Sequence, residues 1–156
     1  MPGVRIEKEE TVVTLLTSEI VIDAPSETVW HVLVDFASYK DWNPVEIDAK
    51  GEATVGTVLE HTSKLPGRKP MTFRPTIIEA SRPRALAWKG KVFLPGLFDV
   101  RHHFEIEPMS SERCRLRQFE RFSGLLVPLM RGTLRDTHAA FELANAAIKE
   151  RAESLT

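Results

Sequence analysis

The chemistry this sequence can offer is concentrated in residues 100–122. Val100, His102, Phe104 and Ile106 alternate with Arg101, His103 and Glu105, the period of a strand with one face turned toward an apolar interior. A second alternating stretch follows at 113–122, after the turn signal Met109-Ser110-Ser111. A hairpin symmetric about Ser111 sets Ile106 opposite Leu116, Phe104 opposite Gln118 and His102 opposite Glu120. An imidazole beside a carboxylate between apolar walls can act as general acid or base, or hold a ligand carbonyl or hydroxyl. The same two groups can equally satisfy one another without any substrate. A slip of one residue would turn Glu120 outward.

His61, in VLEHTSKL, has Leu59, Ser63 and Leu65 on its inward parity and is a second polar point for the same wall. His102 and His103 point to opposite faces and cannot chelate one metal together. His31 and His138 lie on separate helices without the HExxH spacing, so no metal site is expected. No cofactor is expected either. The sequence has no GxGxxG after a strand, no GxxxxGK[ST], no GxSxG and no CxxC, which leaves nucleotide, serine-hydrolase and thioredoxin-like chemistry without a foothold.

The elements that must position these groups follow from periodicity. Residues 11–23 are rich in β-branched side chains and read as a strand. Pro25 then starts a helix in which Val29, Trp30, Leu33 and Val34 form one buried stripe. A short second helix at 37–41 stops before Pro44. Six strands are expected near 45–50, 56–65, 70–80, 85–93, 99–108 and 113–122, with Pro75 marking a bulge or an edge in the third. The last element, 128–152, is a helix of roughly 35 Å at 1.5 Å per residue. Its apolar stripe is Met130, Leu134, Thr137, Phe141, Ala144 and Ile148.

The fold class is therefore α+β, in the order β-α-α-β6-α, with a curved antiparallel sheet of seven strands and one helix long enough to cover it. One helix leaves volume uncovered. Phe73, Trp88, Val100, Phe104 and Leu116 from the strands, with Met130, Leu134 and Phe141 from the helix, should line that space around His61, His102, Gln118 and Glu120. Such a lining suits a small hydrophobic ligand.

Length and composition narrow the rest. At 156 residues, 42% hydrophobic and 28% charged, the chain fits one domain spanning residues 1–156. A net charge of -1 excludes a global field drawing it to nucleic acid, although residues 1–60 carry -8 and residues 61–121 carry +7. Arg101, Arg113, Arg115 and Arg117 share the outer face of the hairpin; without exposed aromatics between them, they read as a solvated surface countered by acids and not as an RNA platform. The lone Cys114 excludes an intrachain disulfide, and the N-terminus lacks a secretory apolar stretch, so a cytoplasmic protein is expected. The longest apolar run, 124–130, falls far short of the roughly 20 residues that span a bilayer, so stable membrane insertion is not expected. The apolar Pro-Gly loop at 91–99, with Phe93, Leu94, Leu97 and Phe98, suits a cavity lid, a membrane-touching tip or a homodimer contact, the lid being preferred.

Three stretches carry a family resemblance: IDAPSETVWHVLVDFASYKDWNP at 22–44, HHFEIEP at 102–108, and FERFSGLLVPLM leading into AFELANAAIKERAE at 119–153. Over about residues 12–153 the chain resembles the START-like, helix-grip superfamily (SRPBCC), in its polyketide cyclase/dehydrase-like branch. The resemblance implies a curved sheet gripping the last helix around a deep, mostly apolar cavity. It also implies one of several roles, from lipid carriage to cyclisation. That superfamily shares no universal catalytic residue, so the reading stays divided between a binder of a lipid, isoprenoid or aromatic polyketide-like molecule and a cyclase or dehydratase using His102 with Glu120.

Overall fold

The computed structural model describes residues 13–92 and 94–156, and the expected start of the first strand at 11 and the expected loop residue Phe93 lie outside them. Strand β1 (Val13–Ile22) leads through Pro25 into helix α1 (Ser26–Val34), a short 3-10 turn (Phe36–Ser38) and helix α2 (Tyr39–Trp42). Strands β2 (Glu46–Lys50), β3 (Glu60–Ser63), β4 (Met71–Phe73), β5 (Thr76–Ser81), β6 (Ala85–Val92), β7 (Phe98–Ser110) and β8 (Arg113–Ser123) follow. A 3-10 turn (Val127–Leu129) then opens the long helix α3 (Arg131–Glu153).

The strands form two antiparallel sheets, one of five in the order β1-β8-β7-β6-β5 and one of three in the order β2-β3-β4, in place of the expected single sheet of seven. Pro75 is the reason. It has no N–H to give to a ladder, so the strand expected at 70–80 breaks into β4 and β5 on either side of it. The strand expected at 56–65 shrinks to β3 for the complementary reason: residues 56–59 run alongside β5 with irregular bonding. Gly56 N donates to Ile77 O (2.9 Å), Ile77 N to Thr57 O (2.9 Å) and Leu59 N to the Pro75 carbonyl (2.8 Å). These bonds keep the wall continuous across the gap between the sheets.

The β7–β8 hairpin pairs Ile106 with Leu116, Phe104 with Gln118 and His102 with Glu120, the register given by symmetry about Ser111. Next door, Trp88 of β6 pairs with His102, and Ser18 of β1 pairs with Gln118. Polar and aromatic groups from four strands thus lie in two adjacent rows across one face: Trp88, His102 and Glu120 in the first, Phe104, Gln118 and Ser18 in the second. On the outer face, Arg113 binds Asp23 at 2.6 Å, Arg115 binds Glu107 at 3.1 Å and Arg117 binds Glu105 at 2.6 Å; such exposed pairs contribute about 0–1 kcal/mol each.

Where α1 and the C-terminal half of α3 close over the sheet, the core is solid. Ile22, Leu33, Leu86, Ile106, Cys114, Leu116, Ile148 and Ala152 pack together there, each almost wholly buried. Full burial of a Leu or Ile side chain contributes about 1.5–3 kcal/mol, so this end holds the fold together. A smaller cluster of Phe98, Phe122, Val127 and Leu134 closes the other end. Gly124 permits that closure: with φ at 128°, it brings the chain against the Leu97 carbonyl where a Cβ would overlap it. Leu125 N and Leu126 N then donate to Gly96 O and Leu97 O, tying the loop before β7 to the loop before α3.

Candidate functional site

Between these two packed ends lies a cavity of about 560 Å³, bounded by the five-stranded sheet, β3 and β4, and α3. Of the residues expected to line it, Phe73, Trp88, Val100, His102, Phe104, Gln118, Glu120, Met130 and Phe141 do so. Three do not. Leu116 has the expected register but belongs to the closed core with Val29 and Leu33 of α1. Leu134 turns into the Phe98–Phe122 cluster. His61 is fully buried behind the wall among the rings of Phe36, Phe73 and Trp88, whose centroids lie 5.6, 5.6 and 4.9 Å away. Phe98, expected to be exposed on its loop, is 3% exposed and lines the cavity, because β7 begins at Phe98 and gives it the inward parity of Val100 and His102. Leu94 remains exposed, and Trp42 packs edge-on against Tyr39 without reaching the cavity.

His102 is the most constrained polar group of the lining. Its ring stacks on Trp88 at 5.0 Å and 17°, and Phe141 of α3 meets it edge-on at 5.3 Å. Nε2 lies 3.1 Å from Gln118 Oε1, and Nδ1 lies 3.4 Å from Glu120 Oε2. Gln118 is held in turn, its Nε2 donating to Asn145 Oδ1 at 2.5 Å. Gln118 is therefore fixed from behind, and with Trp88 and Phe141 against its faces the ring presents one geometry to the cavity.

A second carboxyl reaches the same space from the opposite wall. Asn43, just before Pro44, accepts from the backbone N–H of Val45 (2.9 Å) and Glu46 (3.0 Å) and so turns the chain into β2 with the Glu46 side chain directed inward. Glu46 Oε2 accepts from Ser63 Oγ at 2.8 Å and lies 3.7 Å from His61 Nδ1. Burial pushes the Glu46 pKa up to about 7, against the Ser63 hydrogen bond and the charge of His102, while Glu120 adds to the rise. Burial likewise pushes His61 down to about 4, with His102 adding to the effect. Tyr39 also lines the cavity, but its hydroxyl is committed to the Leu33 carbonyl, and burial drives its pKa upward.

The cavity thus has an apolar body, the polar groups His102, Gln118 and Glu120 on the five-stranded sheet, Glu46 on the three-stranded one, and a mouth bearing Arg68, Lys69 and Lys91. Arg68 ties the loop before β4 to α3, its Nε donating to Asp136 at 2.6 Å and its Nη1 to Thr133 Oγ1 at 3.2 Å. Among the described residues no group of three or more His, Cys, Asp or Glu is arranged to hold a metal ion. Chemically, the arrangement can enclose an apolar molecule and exchange protons or hydrogen bonds with an oxygen at one side of it.

The family described as "Polyketide cyclase / dehydrase and lipid transport" matches residues 14–153. The chain belongs to that family. Its START-like fold is seen as well in solved structures of low sequence identity. A START superfamily protein from Mycobacterium smegmatis is 18% identical with a TM-score of 0.70, over 91% of this chain and 99% of that one. An aromatase/cyclase from a Streptomyces species is 16% identical with a TM-score of 0.72, over 91% and 94%. A Thalictrum norcoclaurine synthase point mutant, in complex with a transition-state analogue, is 18% identical with a TM-score of 0.66, over 93% and 97%. At these identities the likeness speaks for the fold alone. No curated protein sequence matches the chain.

Two polar residues of this family member escaped the periodicity argument. Glu46 did so because the β2–β3 ladder shifts register between Glu46 and Asp48, so simple alternation along 45–50 does not give its face. Asn145 carried a legible signal: it sits four residues after Phe141 and three before Ile148, a polar break in the buried stripe of α3.

Proposed function

We propose that this chain binds a small hydrophobic molecule, a lipid, isoprenoid or aromatic polyketide-like compound, in the cavity between sheet and α3. The apolar body of the ligand packs on Trp88, Val100, Phe104 and Phe141, and an oxygen-bearing end meets His102, Gln118 and Glu120. His61 supports this wall from behind. One observation carries the reading: a 560 Å³ space, ample for such a ligand, stays open inside an otherwise tightly packed fold, with His102, Gln118 and Glu120 set among its apolar lining. Such a protein works as a single domain in the cytoplasm, consistent with one buried free thiol and with no described helix long and apolar enough to cross a membrane.

Native mass spectrometry of the protein, followed by extraction of the bound molecule, tests the proposal. A single hydrophobic species at one per chain is the expected result. A protein that carries nothing, and takes up none of a panel of lipids and flat aromatics, would refute it.

A second reading is favoured by the Glu46 carboxyl, whose pKa near 7 lets it give and take a proton at neutral pH across the cavity from His102. In that reading the protein is a cyclase or dehydratase, with His102 assisted by Glu120 moving a proton beside a ligand carbonyl. His102→Ala should then abolish turnover of a polyketide-like substrate while leaving its affinity within a few-fold. An unchanged rate would remove His102 from the mechanism.

A further inference from the structure

The chain of polar groups does not end at Gln118. Asn145 Nδ2 donates to Ser18 Oγ at 2.9 Å, and Ser18 Oγ donates to Glu142 Oε1 at 2.6 Å. Ser18, Gln118 and Asn145 are buried at 8%, 2% and 2% exposure, whereas Glu142 lies on the exposed side of α3. One unbranched chain of hydrogen bonds therefore runs from the protein surface to the imidazole in the cavity.

Its direction is dictated from the outer end. A carboxylate only accepts, so Ser18 must give its one hydroxyl proton to Glu142 and has only lone pairs left for Asn145. Asn145 must then turn its NH₂ toward Ser18 and its oxygen toward Gln118. The same logic turns the Gln118 NH₂ toward Asn145 and its oxygen toward His102. An oxygen facing Nε2 requires that Nε2 carry the proton. The neutral ring is left with its Nδ1 lone pair toward Glu120, 3.4 Å away, so any proton shared between His102 and Glu120 is an additional one. With every bond reversed, Nδ1–H would instead face the Glu120 carboxylate, and no additional proton would be needed.

We propose that Glu142, outside the cavity, is a positioning residue that sets the tautomer of His102 through Ser18, Asn145 and Gln118. By doing so it leaves the bare Nδ1 of His102 beside the Glu120 carboxyl, so the two meet a ligand as hydrogen-bond acceptors. This deepens the reading of His102 and Glu120 as the polar anchor, and names the ligand chemistry the anchor prefers: a hydroxyl or other hydrogen-bond donor over an acceptor-only group. Glu46 also faces the pair electrostatically, but it has no hydrogen bond to the chain of groups that runs out to Glu142.

The test uses the whole, ligand-free protein with ¹⁵N-labelled histidine, reading the two ring nitrogens of His102 by NMR once the ring is neutral. The native protein should show a protonated Nε2 and a bare Nδ1. Glu142→Gln should keep that pattern, because an amide oxygen still accepts from Ser18. Glu142→Lys, which can only donate, should move the proton to Nδ1; Glu142→Ala, which frees Ser18 to turn, should give a mixture of both tautomers. A native spectrum with a protonated Nδ1 would overturn the proposal, as would Lys and Ala variants that are folded and keep the native pattern. Ligand uptake does not enter this readout. A protein that shows the exchange but binds no hydrophobic molecule would sink the functional reading and leave the relay standing.

Discussion

Two histidines meet the same tryptophan and live in opposite circumstances. His102 stacks on Trp88 with both ring nitrogens facing defined polar groups, whereas His61 meets it edge-on at 4.9 Å, fully buried, with neither nitrogen hydrogen-bonded. They share residue type and inward strand parity. The difference lies in what distant elements bring: β8 and α3 deliver Gln118, Glu120 and Asn145 to His102, while the α1–α2 region delivers Phe36 and Tyr39 to His61. Where polar partners converge, an imidazole is fixed and exposed to the cavity. Where rings converge, it serves as one more aromatic surface.

The comparison can be broken at its polar side with the largest effect. Asn145→Leu removes two hydrogen bonds and leaves the buried Gln118 NH₂ without a partner, while Ser18 keeps its bond to Glu142, so it should lower stability by about 2 kcal/mol in urea unfolding, at roughly 1–3 kcal/mol per orphaned buried group. A loss below about 1 kcal/mol would mean that water or a flipped amide replaces the asparagine. His61→Phe is the matched change on the dry side. It should cost nothing and can stabilise by about 1 kcal/mol, since two orphaned ring nitrogens disappear from an aromatic nest. Strong destabilisation would show that His61 is hydrogen-bonded in solution.

Around His61 itself, two neighbouring groups predict opposed responses to pH. Glu46, raised from 4.5 to about 7, keeps in the folded state a proton that the unfolded chain has lost, so its contribution to stability falls as pH climbs from 4.5 to 7. His61, lowered from 6.5 to about 4, refuses a proton that the unfolded chain accepts, so its contribution rises as pH climbs from 4 to 6.5. In the native protein these two contributions largely cancel between about pH 4.5 and 6.5. Glu46→Gln should unmask the rising slope and His61→Phe the falling one, each by about 2 kcal/mol across its window after allowance for the Glu46 side chain's access to the cavity. Parallel stability curves for both variants and the native protein would contradict these environments.

The smallest effect is expected at the mouth. Arg68→Ala cuts the tie between the β3–β4 loop and Asp136 on α3 at a half-exposed pair, which should change stability by only about 0.5 kcal/mol. Release of a bound probe, followed by stopped-flow fluorescence, should quicken several-fold if that tie closes the cavity. An unchanged release rate would place the exit elsewhere.

The legibility of the site in the sequence follows the same division. The β7–β8 register, and with it the meeting of His102, Gln118 and Glu120, was readable because a short turn between two long alternating strands leaves one natural pairing. The α3 stripe was readable from its three-and-four spacing, although Leu134 and Leu116, correct in face, lie beyond the ends of the cavity. Face can be read from period, but depth along an element depends on where other elements close the space. Pro75 announced a local disturbance without revealing that it would divide the sheet. Glu46 was hidden by a bulge, and Ser18 showed only as a polar break in the inward series Leu16, Ser18, Ile20, Ile22. Its purpose depends on Glu142 and Asn145, more than a hundred residues away.

The central claim is an occupied cavity anchored at His102, and the most direct measurement is titration of the native protein and of Val100→Trp with an environment-sensitive hydrophobic probe. Val100 lines the open space on β7 and is paired with Gly90 and Phe122, outside the buried hydrogen-bond chain, so an indole there should fill the cavity and spare that chain. Saturable binding at one probe per chain, lost in a Val100→Trp protein of unchanged stability, is the predicted result. Equal binding by both proteins, or none by the native one, would contradict the account.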